Sequence, residues 1–228
     1  MEDVGRRLSK LMIVCTVLNA ALHLAASIRT RGLCRSALFF ALGSGLPAAG
    51  ELLATGPLGL LRHRLRYRVA GVPLAILLGW YAVIHGSFAV AKLASERLRL
   101  GEGAKKKALP PLAALVGVSL DLILDPAGLD VGLWEWNVDG AYAGEIRGQN
   151  GRNGVPFFNY LGWIALVGGM VYVYEPARED EEEPIIPALL LLPYYLAAAG
   201  WAVKWRRFRY LLYSAPFPVA LYAALQKR

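Results

Sequence analysis

Residues 109–126, "LPPLAALVGVSLDLILDP", decide how this chain is read. The run is almost wholly apolar and long enough to cross a bilayer, which takes roughly 17–25 residues of helix. It nevertheless carries two carboxylates, Asp121 and Asp125. Four residues apart on a helix, they lie on one face. An ionisable group inside a span costs ~2.5–3.5 kcal/mol or more, so it marks a functional site by default. One segment therefore predicts both a spanning helix and a pair of acids turned toward a protein interior.

The rest of the chain repeats the apolar pattern. Of 228 residues, 56% are hydrophobic, against ~45–50% in a soluble domain. The excess falls in blocks at about 11–28, 36–55, 69–93, 109–125, 155–174, 184–203 and 208–225. The predicted fold is an all-α polytopic transmembrane helix bundle of about seven spans, with six or eight as neighbouring counts. The second block is broken by "GSGLPAAGE" and the fourth is short. Residues 1–228 are expected to form a single integral membrane domain. The first block is expected to be a true span rather than a signal peptide, because no small-residue cleavage site follows it.

The net charge of +8 does not point to nucleic acid. The basic residues cluster between apolar blocks, where they meet lipid headgroups. Lys and Arg divide almost equally between the two sides, so they choose no orientation. The acidic loop 175–183 reads as a solvated connector or as a partner for Lys105, Lys106 and Lys107. Cys15 and Cys34 match no metal or disulfide framework and read as packing residues.

Residues 127–154, "AGLDVGLWEWNVDGAYAGEIRGQNGRNG", are different. They are rich in Gly, Asn, Asp and aromatics and have no helical stripe. They read as an interfacial cap or re-entrant lid between the fourth and fifth spans. Trp134, Trp136 and Tyr142 suit an interface. Irregular backbone at membrane depth is tolerated only against protein or around a cavity.

Few polar residues lie inside the blocks, and each has a plain structural reading beside the functional one. Glu51 is either a site carboxylate or an interfacial residue paired with a nearby Arg. His85 and His23 read as site residues or as hydrogen-bonded packing histidines. Asp125, before Pro126, reads as a site acid or as a cap on the segment that follows. Asp121, a turn deeper between Leu120 and Leu122, has the weakest structural explanation. Two close carboxylates in a low dielectric resist ionising together, so one holds a proton. With Trp80, Trp134, Trp136 and Trp163 as walls, such a site suits an apolar substrate that must be protonated on carbon.

"DLILDPAGLDVGLWEWNVDGAYAG" followed by "GVPFFNYLGW" resembles the membrane carotenoid-biosynthesis family that includes the carotenoid 1,2-hydratases. Upstream, "GELLATGPLG" and "AGVPLAILLGW" resemble two further blocks of that family. Here "AYAG" is separated from "VPFFN" by "EIRGQNGRNG". The resemblance implies hydration of a terminal double bond of an acyclic carotenoid of the lycopene or bisanhydrobacterioruberin type. A carboxylic acid protonates the alkene, a tertiary cation forms, and water captures it, with no redox cofactor and no metal. Asp121 is implied as the acid, with Asp125 or Glu51 tuning it or placing the water. Asn159 and Tyr142 are implied as hydrogen-bonding partners of that water. Trp134, Trp136 and Trp163 are implied as tunnel lining. Trp80 and His85 complete the expected substrate-binding set. The implied partners are the carotenoid, membrane lipid and other membrane enzymes of the pathway, in the cell membrane.

Other readings share parts of this evidence. Cyclisation or isomerisation of a carotenoid end group opens with the same protonation. A transporter or lipid-binding protein needs only the spans, but no second broken span repeats three or four spans after the first. A retinal protein needs a lysine within a span, and the lysines lie at span edges or in loops. A prenyltransferase needs a second Asp-rich pair on a facing helix, which is absent.

Overall fold

The computed structural model describes residues 2–97, 101–174 and 185–226, with the side chains of residue 102 and residues 2–9 excluded. The acidic loop 175–183 lies outside the described residues. Among the described residues, six helical stretches are long and apolar enough to cross a membrane. They are built on α1 (Glu2–Arg31), α2 (Leu33–Thr55), α3 (Leu74–Arg97), α4 (Glu102–Asp130), α5 (Phe157–Tyr174) and the pair α6 (Ile185–Leu189) and α7 (Leu192–Lys204). The helix α2 runs unbroken through Pro47. In hydrocarbon every backbone group needs an internal partner, so losing one bond at a proline costs less than leaving the helix.

The spans α3 and α4 form the centre of the bundle, with 72% and 78% of their apolar windows buried, against 17–33% for the other four. Small residues let α5 approach α4 closely. Any Cβ at Gly117 would fall 3.0 Å from Val167, and any Cβ at Gly168 would fall 3.2 Å from Ala114. The outer faces carry leucine, valine and aromatic side chains such as Leu18, Leu22, Leu38, Leu161 and Val219, all exposed. Those faces suit lipid.

The block expected to be a seventh span forms instead two short helices, α8 (Arg209–Tyr213) and α9 (Pro216–Leu225), neither long enough to cross a membrane. Pro216 and Pro218 lack the N–H groups that would join them into one helix. The pieces run back along the preceding span: Tyr210 packs on Trp201, and Phe217 packs on Tyr195.

The fourth span overruns its expected end at Asp125. Helix α4 continues through Pro126 to Asp130. Proline there removes the donor for the Leu122 carbonyl, and the Tyr142 hydroxyl replaces it at 2.7 Å. Burial, assisted by the neighbouring phenols of Tyr210 and Tyr213, pushes the Tyr142 phenol up, so it stays a donor.

Beyond α4 the chain forms a cap of short strands rather than a re-entrant loop. Strand β1 (Leu61–His63), from the α2–α3 connection, pairs antiparallel with β4 (Trp134–Trp136), from the α4–α5 connection. The pairs are Leu61 with Trp136, Arg62 with Glu135 and His63 with Trp134. Side chains alternate in a strand. Leu61, His63, Trp134 and Trp136 therefore turn inward, while Arg62 and Arg64 hold the buried Glu135 on the other side. Strands β2 (Arg68–Val69) and β3 (Val72–Pro73) make a small turn before α3. The inserted "EIRGQNGRNG" lies in a hairpin of β5 (Tyr142–Arg147) and β6 (Asn153–Val155). Gly154 sits at φ +69°, and a Cβ there would fall 2.4 Å from the Tyr142 carbonyl.

Candidate active site

A cavity of about 510 Å³ lies between the helices directly beneath the cap. This is within the usual range for a small-molecule site. Its polar end is built by α4 and α5. Asp121 and Asp125 are 4% and 3% exposed, one turn apart on α4. Asn159, in the first turn of α5, donates from one amide nitrogen to both, at 2.9 Å to Asp121 Oδ2 and 2.8 Å to Asp125 Oδ2. Hydrogen bonds to charged groups contribute ~1.5–3 kcal/mol each. Asp125 Oδ1 accepts a further bond from the Trp134 indole N–H. Among the described residues no cation pairs with either aspartate. The helix does not end at Asp125, so that residue caps nothing.

Trp134 reaches Asp125 by lying flat across Gly128, three residues further along the same face of α4. A Cβ at Gly128 would fall 2.1 Å from the indole. Glycine here is what lets the cap close on the helix. The Trp136 indole N–H also faces Asp125 but falls short of hydrogen-bond geometry.

A second carboxylate site lies on α2 and β1. Glu51 accepts from Trp80 Nε1 at 3.0 Å and from His63 Nε2 at 2.8 Å. The Arg-pairing reading of Glu51 is thus replaced by a histidine and an indole. Trp80 in turn stacks on Trp163, with ring centroids 4.0 Å apart. The remaining wall is apolar and faces lipid: Leu11 and Cys15 of α1 and Pro193 and Ala197 of α7 line the cavity and are exposed.

Of the residues expected to form the site, the fold brings eight to this cavity: Glu51, Trp80, Asp121, Asp125, Trp134, Trp136, Asn159 and Trp163. Two are elsewhere. Tyr142 covers the Leu122 carbonyl and is not a cavity residue, because Pro126 has claimed its hydroxyl. His85 is buried away from the cavity, with its Nδ1 3.2 Å from His23 Nδ1 and its Nε2 2.9 Å from Arg31. It belongs to a polar contact between α1 and α3. His63 was not expected, since it sits in the basic stretch "RHRLRYR". Its signal was alternation: Leu61, His63 and Leu65 are buried, whereas Arg62 and Arg64 between them are exposed.

Comparison with curated proteins gives no match, and comparison with solved structures gives none. A protein-family model described as carotenoid biosynthesis protein does match, over residues 10–203. That range takes in every residue lining the cavity, from Leu11 to Trp201. With its membrane-spanning helices and its buried acid pair beneath an aromatic cap, this chain belongs to the carotenoid biosynthesis protein family.

Proposed function

We propose that this protein is an enzyme that hydrates a terminal double bond of an acyclic carotenoid, of the lycopene or bisanhydrobacterioruberin type, in the cell membrane. The observation that carries the reading is the buried Asp121–Asp125 pair, bridged by Asn159, at the end of an apolar, indole-walled cavity. Two like charges side by side resist ionising together, so the pair is written with one shared proton.

The reaction needs no redox cofactor and no metal. Asp121 gives its proton to the less substituted alkene carbon, and the π pair forms the new C–H bond. The tertiary cation left behind is held against the faces of Trp80, Trp163 and Trp134, whose π systems attract a cation. Asn159 donates to both carboxylates and holds them in place as the pair passes from one negative charge to two. Water then forms the C–O bond and loses a proton, giving a tertiary alcohol. The substrate is a membrane solute, and the exposed wall between α1 and α7 gives its chain a way in from lipid. Other membrane enzymes of the pathway are its expected neighbours.

Expression in a lycopene-producing host tests this reading. A pigment heavier than lycopene by one or two waters supports it. A product of unchanged mass with a ring at its end would assign a cyclase to the same acid. Lycopene left unaltered there, and bisanhydrobacterioruberin left unaltered in a host that makes it, would together refute the reading.

A further inference from the structure

Hydration needs a second proton transfer, and a water attacking the face of the cation turned away from Asp121 cannot lose its proton directly to the acid pair. Once Asp121 has given up its proton, the attacking water must lose one to a base that can face the cation from elsewhere. His63 is placed for that. It lies on β1, in the cap, and its side chain borders the main cavity. It also borders a smaller space of about 290 Å³ lined by Thr55, Arg62, Arg68 and Gly71. Arg62, Arg68, Ala70 and Gly71 of that lining are exposed, so the space opens toward solvent.

The residue is held at three points, two of them on the ring. Its Nε2 meets Glu51 at 2.8 Å, its backbone carbonyl accepts from Arg68 at 2.5 Å, and its edge meets the Trp134 ring at 6.4 Å between centroids. The other ring nitrogen, Nδ1, is buried and takes no hydrogen bond from the described residues. A carboxylate bonded to one imidazole nitrogen fixes the tautomer and leaves the other nitrogen with its lone pair. This is the arrangement of a general base oriented by a third group.

Resting on the hydration reading, we infer that His63, oriented by Glu51, is the base that removes the proton from the attacking water, which arrives through the smaller space that His63 also borders. The water oxygen forms the C–O bond with one lone pair. The electrons of one O–H bond stay on oxygen, and the proton passes to His63 Nδ1. It returns to the aspartate pair through water, so the net change is addition of one water to the alkene. Acid and base then stand on separate elements, α4 and β1, and β1 pairs with β4, the strand that follows α4.

The test uses the full chain in phospholipid vesicles with lycopene as the probe. His63→Gln keeps an amide donor for Glu51 and is expected to lower kcat by ~10²-fold or more, with KM for lycopene little changed. His63→Ala is expected to regain hydration when imidazole is added, while D121A is not. A normal rate in His63→Gln, or no imidazole recovery in a folded His63→Ala protein with normal KM, overturns the assignment. Failure of the wild-type chain to add water either to lycopene or to bisanhydrobacterioruberin overturns the hydration reading, and this assignment with it.

Discussion

Gly128→Ala tests how the cap and the acid pair are joined. The added Cβ would lie 2.1, 2.4 and 2.6 Å from three atoms of the Trp134 indole. Ordinary carbon contact begins near 3.5 Å, so the ring must move by roughly 1 Å or more. Helix α4 is held on both sides and cannot yield instead. Moving the ring breaks its bond to Asp125, a loss of ~1.5–3 kcal/mol for a charged acceptor. Overpacking adds a strain of ~1–3 kcal/mol. A displacement of this size near reacting groups lowers the rate by ~10²-fold. Pigment analysis should show little hydrated product, and chemical unfolding in mixed micelles should show reduced stability. Gly128→Ala with Trp134→Phe removes the benzo ring that the Cβ would strike. It should regain stability but not activity, since phenylalanine has no N–H for Asp125. Wild-type stability and turnover in the single variant would refute this account of the cap.

Three further outcomes follow from particular contacts. Tyr142→Phe leaves the Leu122 carbonyl without a donor and should destabilise the protein by ~1–3 kcal/mol; adding Pro126→Ala restores a backbone N–H and should rescue it in a double-mutant cycle of unfolding. Asn159→Ala removes the bridge between the two aspartates, and hydrated pigment should fall by ~10²-fold while the protein still accumulates in the membrane. The Asp139 carboxyl is held below its ordinary value of 3.8, first by the Asn153 backbone N–H and then by Arg152. Its contribution to the hairpin is present above that ordinary value and lost as pH falls through the lower, folded one. Amide exchange at Asn153 should therefore quicken only in the acid range, and Asp139→Asn should flatten that dependence.

Much of the site was legible because buried charge in a span has so few explanations. Asp121 and Asp125 stood out by position, and the tryptophans around them by their setting in the cap and at span ends. What the sequence hid was long-range. Pro126 reads as a helix stop, and only Tyr142, folded back from the hairpin, supplies the donor that lets α4 continue. That same contact takes Tyr142 out of the cavity. His85 reads as a site histidine because it lies in a span, yet its partners on α1 are more than fifty residues away in the chain. His63 was masked by its arginines. The alternation of buried and exposed residues was present there, but its partner strand lies seventy residues on. The break between α8 and α9 was visible in Pro216 and Pro218, though block length outweighed it.

If the Asp121–Asp125 pair protonates a carotenoid, hydration must stop when its transferable proton is removed. The most direct measurement is the pigment made by Asp121→Asn and Asp125→Asn variants in a lycopene-producing host, with membrane levels matched to wild type. Asparagine keeps the shape and removes the transferable proton. Asp121→Asn should leave lycopene without added water, and Asp125→Asn should be strongly impaired. Hydrated pigment at the wild-type level in Asp121→Asn would contradict it.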